Sequence, residues 1–96
     1  MYEIRQTEVF VKWLNSLNDL LGRTRILARI KRLEEGHHGD VVSVGGGVLE
    51  MRIHTGPGYR VYYSRVGNEV ILLLAGGDKS TQASDVKKAI RMAENI

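Results

Sequence analysis

Residues 49–82 read LEMRIHTGPGYRVYYSRVGNEVILLLAGGDKSTQ, three strand-like runs separated by two turn signals. From Val48 to Ile53 the residues alternate. Leu49, Met51 and Ile53 face one way, Glu50 and Arg52 the other, and His54 continues the polar face. Thr55-Gly56-Pro57-Gly58 is turn chemistry, because proline fixes φ and glycine supplies the positive φ that some turns require. Tyr59 to Arg65 then reads as the returning strand. With Tyr59, Val61 and Tyr63 turned to the core, Arg60 and Tyr62 share an outer face with Glu50 and Arg52. Val66-Gly67-Asn68 makes the next turn. Glu69 to Ala75 is nearly all apolar, which suits a central strand covered on both faces, and Gly76-Gly77 is expected to break it. Consecutive hairpins make these strands antiparallel.

Working outward toward the N-terminus, Tyr2 and Ile4 alternate with Glu3 and Arg5 in a short first strand. Thr7 is the expected N-cap of a helix whose apolar stripe is Phe10, Trp13, Leu14 and Leu17. Asp19 is the next cap candidate. Leu20 to Glu35 follows as a second helix, with Leu27, Ile30 and Leu33 inward, Ile26 beside them, and Arg25, Arg29 and Arg32 on the opposite side. The short connection predicts a helical hairpin. Val41 to Val44 is a brief strand before the Gly45-Gly46-Gly47 turn. Toward the C-terminus, Asp78 to Gln82 is a polar loop, with Ser80 or Thr81 as the cap of a last helix. Val86, Ala89, Ile90 and Ala93 line that helix on one side, with Lys87, Lys88 and Arg91 on the other. The order β-α-α-β-β-β-β-α predicts one α+β domain over residues 1–96. It is an antiparallel sheet with the N-terminal helical hairpin packed on one face and a short C-terminal helix.

Composition narrows the classes. Apolar content of 43% is that of an ordinary globular chain rather than a disordered tail. With no cysteine, disulfides and thiolate zinc sites are excluded, which fits a reducing compartment. The opening MYEIRQTEVF lacks a signal-peptide pattern, and no stretch approaches the roughly 18 apolar residues of a membrane span. A cytoplasmic location with no membrane partner is expected. Net charge is only +3, so the distribution matters more than the sum. Arg23, Arg25, Arg29, Lys31 and Arg32 form one basic cluster, and Lys87, Lys88 and Arg91 another. Each is either a solvated helix face or a surface for a polyanion.

No cofactor or metal motif is present. His37 and His38 are adjacent, so their side chains diverge, and neither glycine cluster fits a phosphate-binding fingerprint. There is no Gly-x-Ser-x-Gly elbow. What remains is Arg52, Arg60 and Lys79, with Glu50, His54 and Tyr62 within reach. A cation costs several kcal/mol to bury unpaired, so the three are expected to face outward, onto something negative. Guanidinium forks match phosphate oxygens. Cleavage of RNA by its own 2′-hydroxyl needs a base, a group that stabilises the pentacoordinate phosphate, and an acid for the leaving oxygen. Arg60 and Arg52 suit the stabilising role, Glu50 or Lys79 the base, and His54 or Tyr62 the acid. The plainer alternative is that Glu50 and Arg52 pair across the sheet surface.

The strings LEMRIHTGPGYRVYY and VILLLAGGDKSTQASDVKKA resemble the RelE/ParE superfamily of bacterial toxins, closest to its phage-derived Gp49-like, HigB-type branch of addiction module killer proteins. EIRQTEVFVKWLNSL and RILARIKRLEEGHHGD extend the resemblance over nearly the whole chain. The resemblance implies the toxin of a two-gene toxin–antitoxin module, neutralised by a cognate antitoxin, in this branch usually a helix-turn-helix protein. RelE and HigB members cleave mRNA in the ribosomal A site without metal or cofactor; ParE members poison DNA gyrase. Arg60, in the GYR motif, matches the arginine held to contact the scissile phosphate, while Arg52 and Lys79 match basic positions. The chain departs from RelE at Val48 and Glu50, where RelE has lysines, and near Ser84 and Asp85, where RelE has a tyrosine. The expectation is therefore a ribosome-dependent mRNA endonuclease. Its catalytic set is Arg60, Arg52, Lys79, Glu50 and His54, with RNA contacts from Arg25, Arg29, Arg32, Tyr62, Lys87, Lys88 and Arg91. A gyrase inhibitor and a catalytically inactive antitoxin-binding domain are the alternatives.

Overall fold

The computed structural model describes all 96 residues. Along the chain lie β1 (Glu3–Gln6), α1 (Glu8–Ser16), α2 (Leu20–Glu34), β2 (Val41–Gly45), β3 (Val48–Ile53), β4 (Tyr59–Val66), β5 (Val70–Asp78), a 3₁₀ turn (Lys79–Thr81) and α3 (Gln82–Glu94). One five-stranded sheet has the order β1-β5-β4-β3-β2. β2 to β5 are antiparallel neighbours, as short hairpins require. β1 differs: it pairs parallel to β5, Glu3 opposite Val70 through Gln6 opposite Leu73. A crossover containing two helices, not a hairpin, links β1 to the rest, so nothing forces it to run antiparallel.

The caps expected for the first two helices form, whereas Thr81 stands at the N-cap of α3 without a side-chain cap bond, Asp78 having capped the 3₁₀ turn before it. Thr7 Oγ1 accepts from the Phe10 amide at 3.1 Å and donates to the Leu74 carbonyl at 2.6 Å, so one side chain starts α1 and ties it to β5. The Asp19 carboxylate accepts from the Gly22 amide at 2.9 Å and from the Tyr59 hydroxyl at 2.8 Å, fastening α2 to β4. Those bonds, the Gly22 amide first, hold the Asp19 pKa below its ordinary value.

Phe10 and Leu14 of α1 and Ile26 and Leu33 of α2 close over Met51, Ile53, Val61, Tyr63, Ile71 and Leu73 in the main core. Burying each such side chain contributes about 1.5–3 kcal/mol before chain entropy is subtracted. The inward stripe of α2 is rotated from the expected one. Ile26 and Leu33 are buried with Ile30 against them, whereas Leu27 is 49% exposed. Gly22 sets that rotation, since it is buried where a Cβ would strike the Tyr59 ring and the Asp19 carboxylate.

α3 lies on the opposite face. Its Ala89 packs with Val48, Tyr62 and Leu74, and Val86, Ile90 and Ala93 extend this second core. The apolar run of β5 is thereby explained: Ile71 and Leu73 serve one core, Leu74 and Leu72 the other. The same packing corrects the expectation of an open outer face. Glu50 and Tyr62 are 0% exposed and Arg60 is 7% exposed, all three in the layer that α3 covers. A second apolar face on β5 needs a cover, and the only helix left to supply it also shields the polar residues beside it.

β5 does not break at Gly76-Gly77 but continues to Asp78. Neither glycine has a positive φ. They are small for contact, not for turning: the Trp13 ring lies where a Cβ on Gly76 would be, and the Asp85 carboxylate where one on Gly77 would be. Gly76→Ala is expected to destabilise the protein by about 1–3 kcal/mol, the usual cost of overpacking, measured by urea unfolding. An unchanged midpoint would mean that the indole moves aside freely.

Candidate functional site

The site begins with register. Glu50 stands opposite Tyr62, and Arg52 opposite Arg60, across β3 and β4. All four point toward the α3 side. The Glu50 carboxylate, without exposed surface, accepts from Arg52 Nε at 2.9 Å on one oxygen and from Gln82 Nε2 at 2.9 Å on the other. Arg60 Nε stands 3.9 Å from the first oxygen, an ion pair without a hydrogen bond. Burial on its own raises the Glu50 pKa. The hydrogen bonds of Gln82 and Arg52, the adjacent Tyr62 hydroxyl and the Arg52 charge outweigh it, and the net direction is down. Glu50 is therefore an anion at neutral pH, enclosed by donors, with no open route to a substrate proton.

Arg60 leans back on its own turn, its Nη1 donating to the carbonyls of Gly58 at 3.1 Å and Tyr59 at 3.3 Å. Gly58 has φ +79°, a conformation suited to glycine, and its missing Cβ would sit 3.4 Å from Lys79 Cβ and 3.5 Å from Arg60 Nη1. Arg60 and Lys79 thus flank one glycine. Lys79 is exposed on the 3₁₀ turn. That turn is started by Asp78, whose carboxylate accepts from the Ser80 amide at 2.8 Å. The Ser80 bonds, aided by the nearby Arg60 charge, lower the Asp78 pKa. Arg52 offers the more open guanidinium, its side chain 35% exposed. Its Nε is spent on Glu50, and its Nη groups make no hydrogen bond within the protein. Arg52 and Arg60 are thus brought together over the Glu50 carboxylate, and Lys79 joins them from the far side of Gly58, next to Arg60.

Other expected site residues lie elsewhere or are occupied. Tyr62 is sealed under α3 and cannot stack on a base. Its hydroxyl, beside Glu50, completes no hydrogen bond, and burial followed by the Glu50 charge drives its pKa well up. His54 is exposed and paired with Asp40, a bond that lowers the Asp40 pKa. Its ring lines a cleft of about 290 Å³ with Arg25, Arg29, Arg32 and Thr55, apart from the Glu50 network. Arg29 is committed: it donates to the Arg52 carbonyl at 2.7 Å and the His38 carbonyl at 3.2 Å, and packs on Gly39. Arg25 and Arg32 remain exposed, as do Lys87, Lys88 and Arg91 on α3. His38 shares a 2.7 Å hydrogen bond with the Tyr63 hydroxyl, whose pKa burial pushes up to about 12. Gln82 escaped sequence reasoning. Its only signal was a place at the end of a polar loop, and its partner lies 32 positions away.

Comparison with known proteins agrees with this architecture. The family described as Phage derived protein Gp49-like (DUF891) matches residues 12–96. An uncharacterized protein of Haemophilus influenzae is 45% identical over 94 residues, 98% of this chain and 95% of that protein. Among solved structures, a free-state mutant of the E. coli toxin RelE superposes with a TM-score of 0.74 at 17% identity, covering 94% of this chain and 95% of that one. A chain of the intact E. coli RelBE toxin–antitoxin complex gives 0.65 at 14% identity over 81% and 96%. The fold is the RelE fold. No helix is long and apolar enough to cross a membrane.

The Glu50 network has a pH signature. Its folded pKa lies below the unfolded value, so its stabilisation is complete above the unfolded value, near 4.5, and is lost as pH falls through the folded one. Glu50→Gln leaves the guanidinium of Arg60 buried without its anion, and a loss of about 3 kcal/mol is expected at neutral pH. Urea unfolding from neutral pH down to about pH 3 should show the gap between variant and wild type closing in acid. A gap independent of pH would assign the loss to packing.

Proposed function

The chain belongs to the phage-derived Gp49-like family, and from that membership, its RelE fold and its cationic site we propose that it is the toxin of a toxin–antitoxin module. We propose further that it is an endoribonuclease that cleaves mRNA on the ribosome. The observation that carries this reading is the Arg52 guanidinium: anchored through Nε, it leaves its Nη groups unpaired across the strand pair from Arg60, which in turn flanks Gly58 with exposed Lys79. A phosphodiester set against these cations would have its equatorial oxygens matched by a fork and a point charge.

The chemistry is attack of the ribose 2′-oxygen on the adjacent phosphorus, its proton passing to water. The 5′-oxygen departs, taking a proton from water, to leave a 2′,3′-cyclic phosphate and a 5′-hydroxyl end. Arg52 and Lys79 stabilise the charge that builds on the phosphorane, and Arg60 adds its field from behind. Glu50 holds Arg52 rather than taking the 2′ proton, because its oxygens are already occupied and buried. Tyr62, buried and of raised pKa, is no proton donor to a substrate outside. So small a set suffices when the ribosome itself aligns the mRNA, since alignment can supply a large part of a barrier. Arg25, Arg32, Lys87, Lys88 and Arg91 would then contact ribosomal RNA, with the salt dependence that phosphate contacts bring. The chain of the RelBE complex that shares this fold was crystallised as part of a toxin–antitoxin complex, which supports an antitoxin as partner here.

Induced expression followed by primer extension on mRNA tests the reading. Wild type is expected to arrest growth and to generate new ends within codons at the A site. Lys79→Ala, at an exposed position, and Arg52→Ala should each reduce cleavage by about 100-fold or more, the usual cost of removing one group that stabilises the transition state. Growth arrest without new mRNA ends would overturn the reading and turn attention to gyrase.

A further inference from the structure

Gln82 makes the only side-chain hydrogen bond between α3 and the sheet, and its partner is the carboxylate that holds Arg52. An ionised carboxylate facing an arginine ordinarily takes it in a two-point fork, one oxygen to Nε and the other to Nη. Here the second oxygen, Oε2, is occupied by Gln82 Nε2 at 2.9 Å, so Arg52 is held at one point, through Nε to Oε1 at 2.9 Å. From this arrangement we infer that Gln82 is a positioning residue, which keeps the Nη groups of Arg52 free for a phosphate by denying Glu50 the second half of the fork.

The inference rests on the proposed nuclease reading and adds to it. Without Gln82, Glu50 has an unsatisfied buried oxygen. Of the unpaired donors around it, the Tyr62 hydroxyl and Arg60 Nε are sealed under α3. The Nη groups of Arg52, the most exposed of the three side chains, are the freest to turn toward it. Rotation of that guanidinium satisfies the carboxylate, takes one Nη into the pair and turns the fork away from the surface. The rearranged protein stays folded, because the buried charge is still paired, but it loses the donors that meet substrate. Gln82 is half-buried at the first position of α3, and the helix keeps its second core through Ala89, Val86 and Ile90. A role limited to attaching α3 would instead appear as lost stability with the chemistry of the remaining folded protein unchanged.

Three measurements on the full chain decide the matter. Gln82→Ala is expected to unfold near the wild-type temperature and to cleave mRNA on programmed ribosomes about tenfold to 100-fold more slowly, as expected when a reacting group is misplaced by about 1 Å. In an Arg52→Ala background the same substitution should cost nothing further, because the two residues act as a unit. NMR of the arginine side chains supplies a readout independent of activity. The Arg52 Nη protons should average rapidly in wild type and become resolved in Gln82→Ala, where a two-point pair hinders rotation. Wild-type cleavage by Gln82→Ala, a full extra loss on top of Arg52→Ala, or unchanged Arg52 Nη signals would each overturn the inference. If wild type cleaves no RNA, the nuclease reading falls by itself, while the NMR comparison still decides how Arg52 is held.

Discussion

A carboxylate with no exposed surface stands where three parts of the chain meet. Glu50 comes from β3, its ion-pair neighbour Arg60 from β4, and its second hydrogen-bond donor Gln82 from α3. An ionised carboxyl taken out of water costs several kcal/mol, and that cost is recovered only if donors arrive in good geometry. Arg52 and Gln82 supply such donors, each at 2.9 Å. The requirement propagates outward. A slip of one residue between β3 and β4 would turn Glu50 into the main core, among Met51, Val61 and Tyr63, where no donor waits. The buried charge therefore specifies strand register, and α3 must dock where Gln82 can reach. Hydrophobic burial supplies most of the stability, and the carboxylate selects among the ways of obtaining it.

With both faces of the sheet covered, only its ends and edges are open to a ligand. The Gly56–Gly58 turn before β4 and the 3₁₀ turn after β5 fall at one such end, since Tyr59 stands opposite Asp78 in the β4–β5 register. Gly58 lets the two turns approach, so a cation separated by nineteen positions from Arg60 becomes its neighbour. Asp78 reinforces the arrangement by capping the turn that carries Lys79. Of the three cations, Arg52 is paired directly with the carboxylate, buried Arg60 shares it from 3.9 Å, and Lys79 on the turn is in no ion pair. The result is a rim that is positive over an interior that is nearly balanced.

Much of this was legible in the residues. Period-two alternation from Val48 to Tyr63 assigned each side chain to its face, because a strand allows no other choice once one face is apolar. Thr7 and Asp19 announced two helix starts through short-range chemistry. What escaped detection depended on contacts distant in sequence. Arg25, Arg29 and Arg32 look equivalent on a helical wheel, yet Arg29 alone meets two carbonyls and Gly39. Gly76-Gly77 carries the composition of a turn, and only the nearness of Trp13 and Asp85 shows that small size was the point. The modest apolar stripe of α3 carries no mark of where the helix lands, so alternation alone leaves the polar face of β3 and β4 open.

That last difference changes how the charged residues should be understood. A face open to water would have made Glu50 and Arg52 an ordinary surface pair, worth little and free to rearrange. Under α3 the same pair sits where its geometry is constrained, and the glutamate acquires a purpose. It is too enclosed to exchange protons with a substrate, but its negative charge allows two guanidiniums to be placed side by side. Without an anion beneath them, Arg52 and Arg60, directly opposite in the strand register, would repel each other. Glu50 thus makes a dense cationic site possible on a two-stranded platform. Which arginine donors remain for the outside then depends on how the carboxylate divides its oxygens.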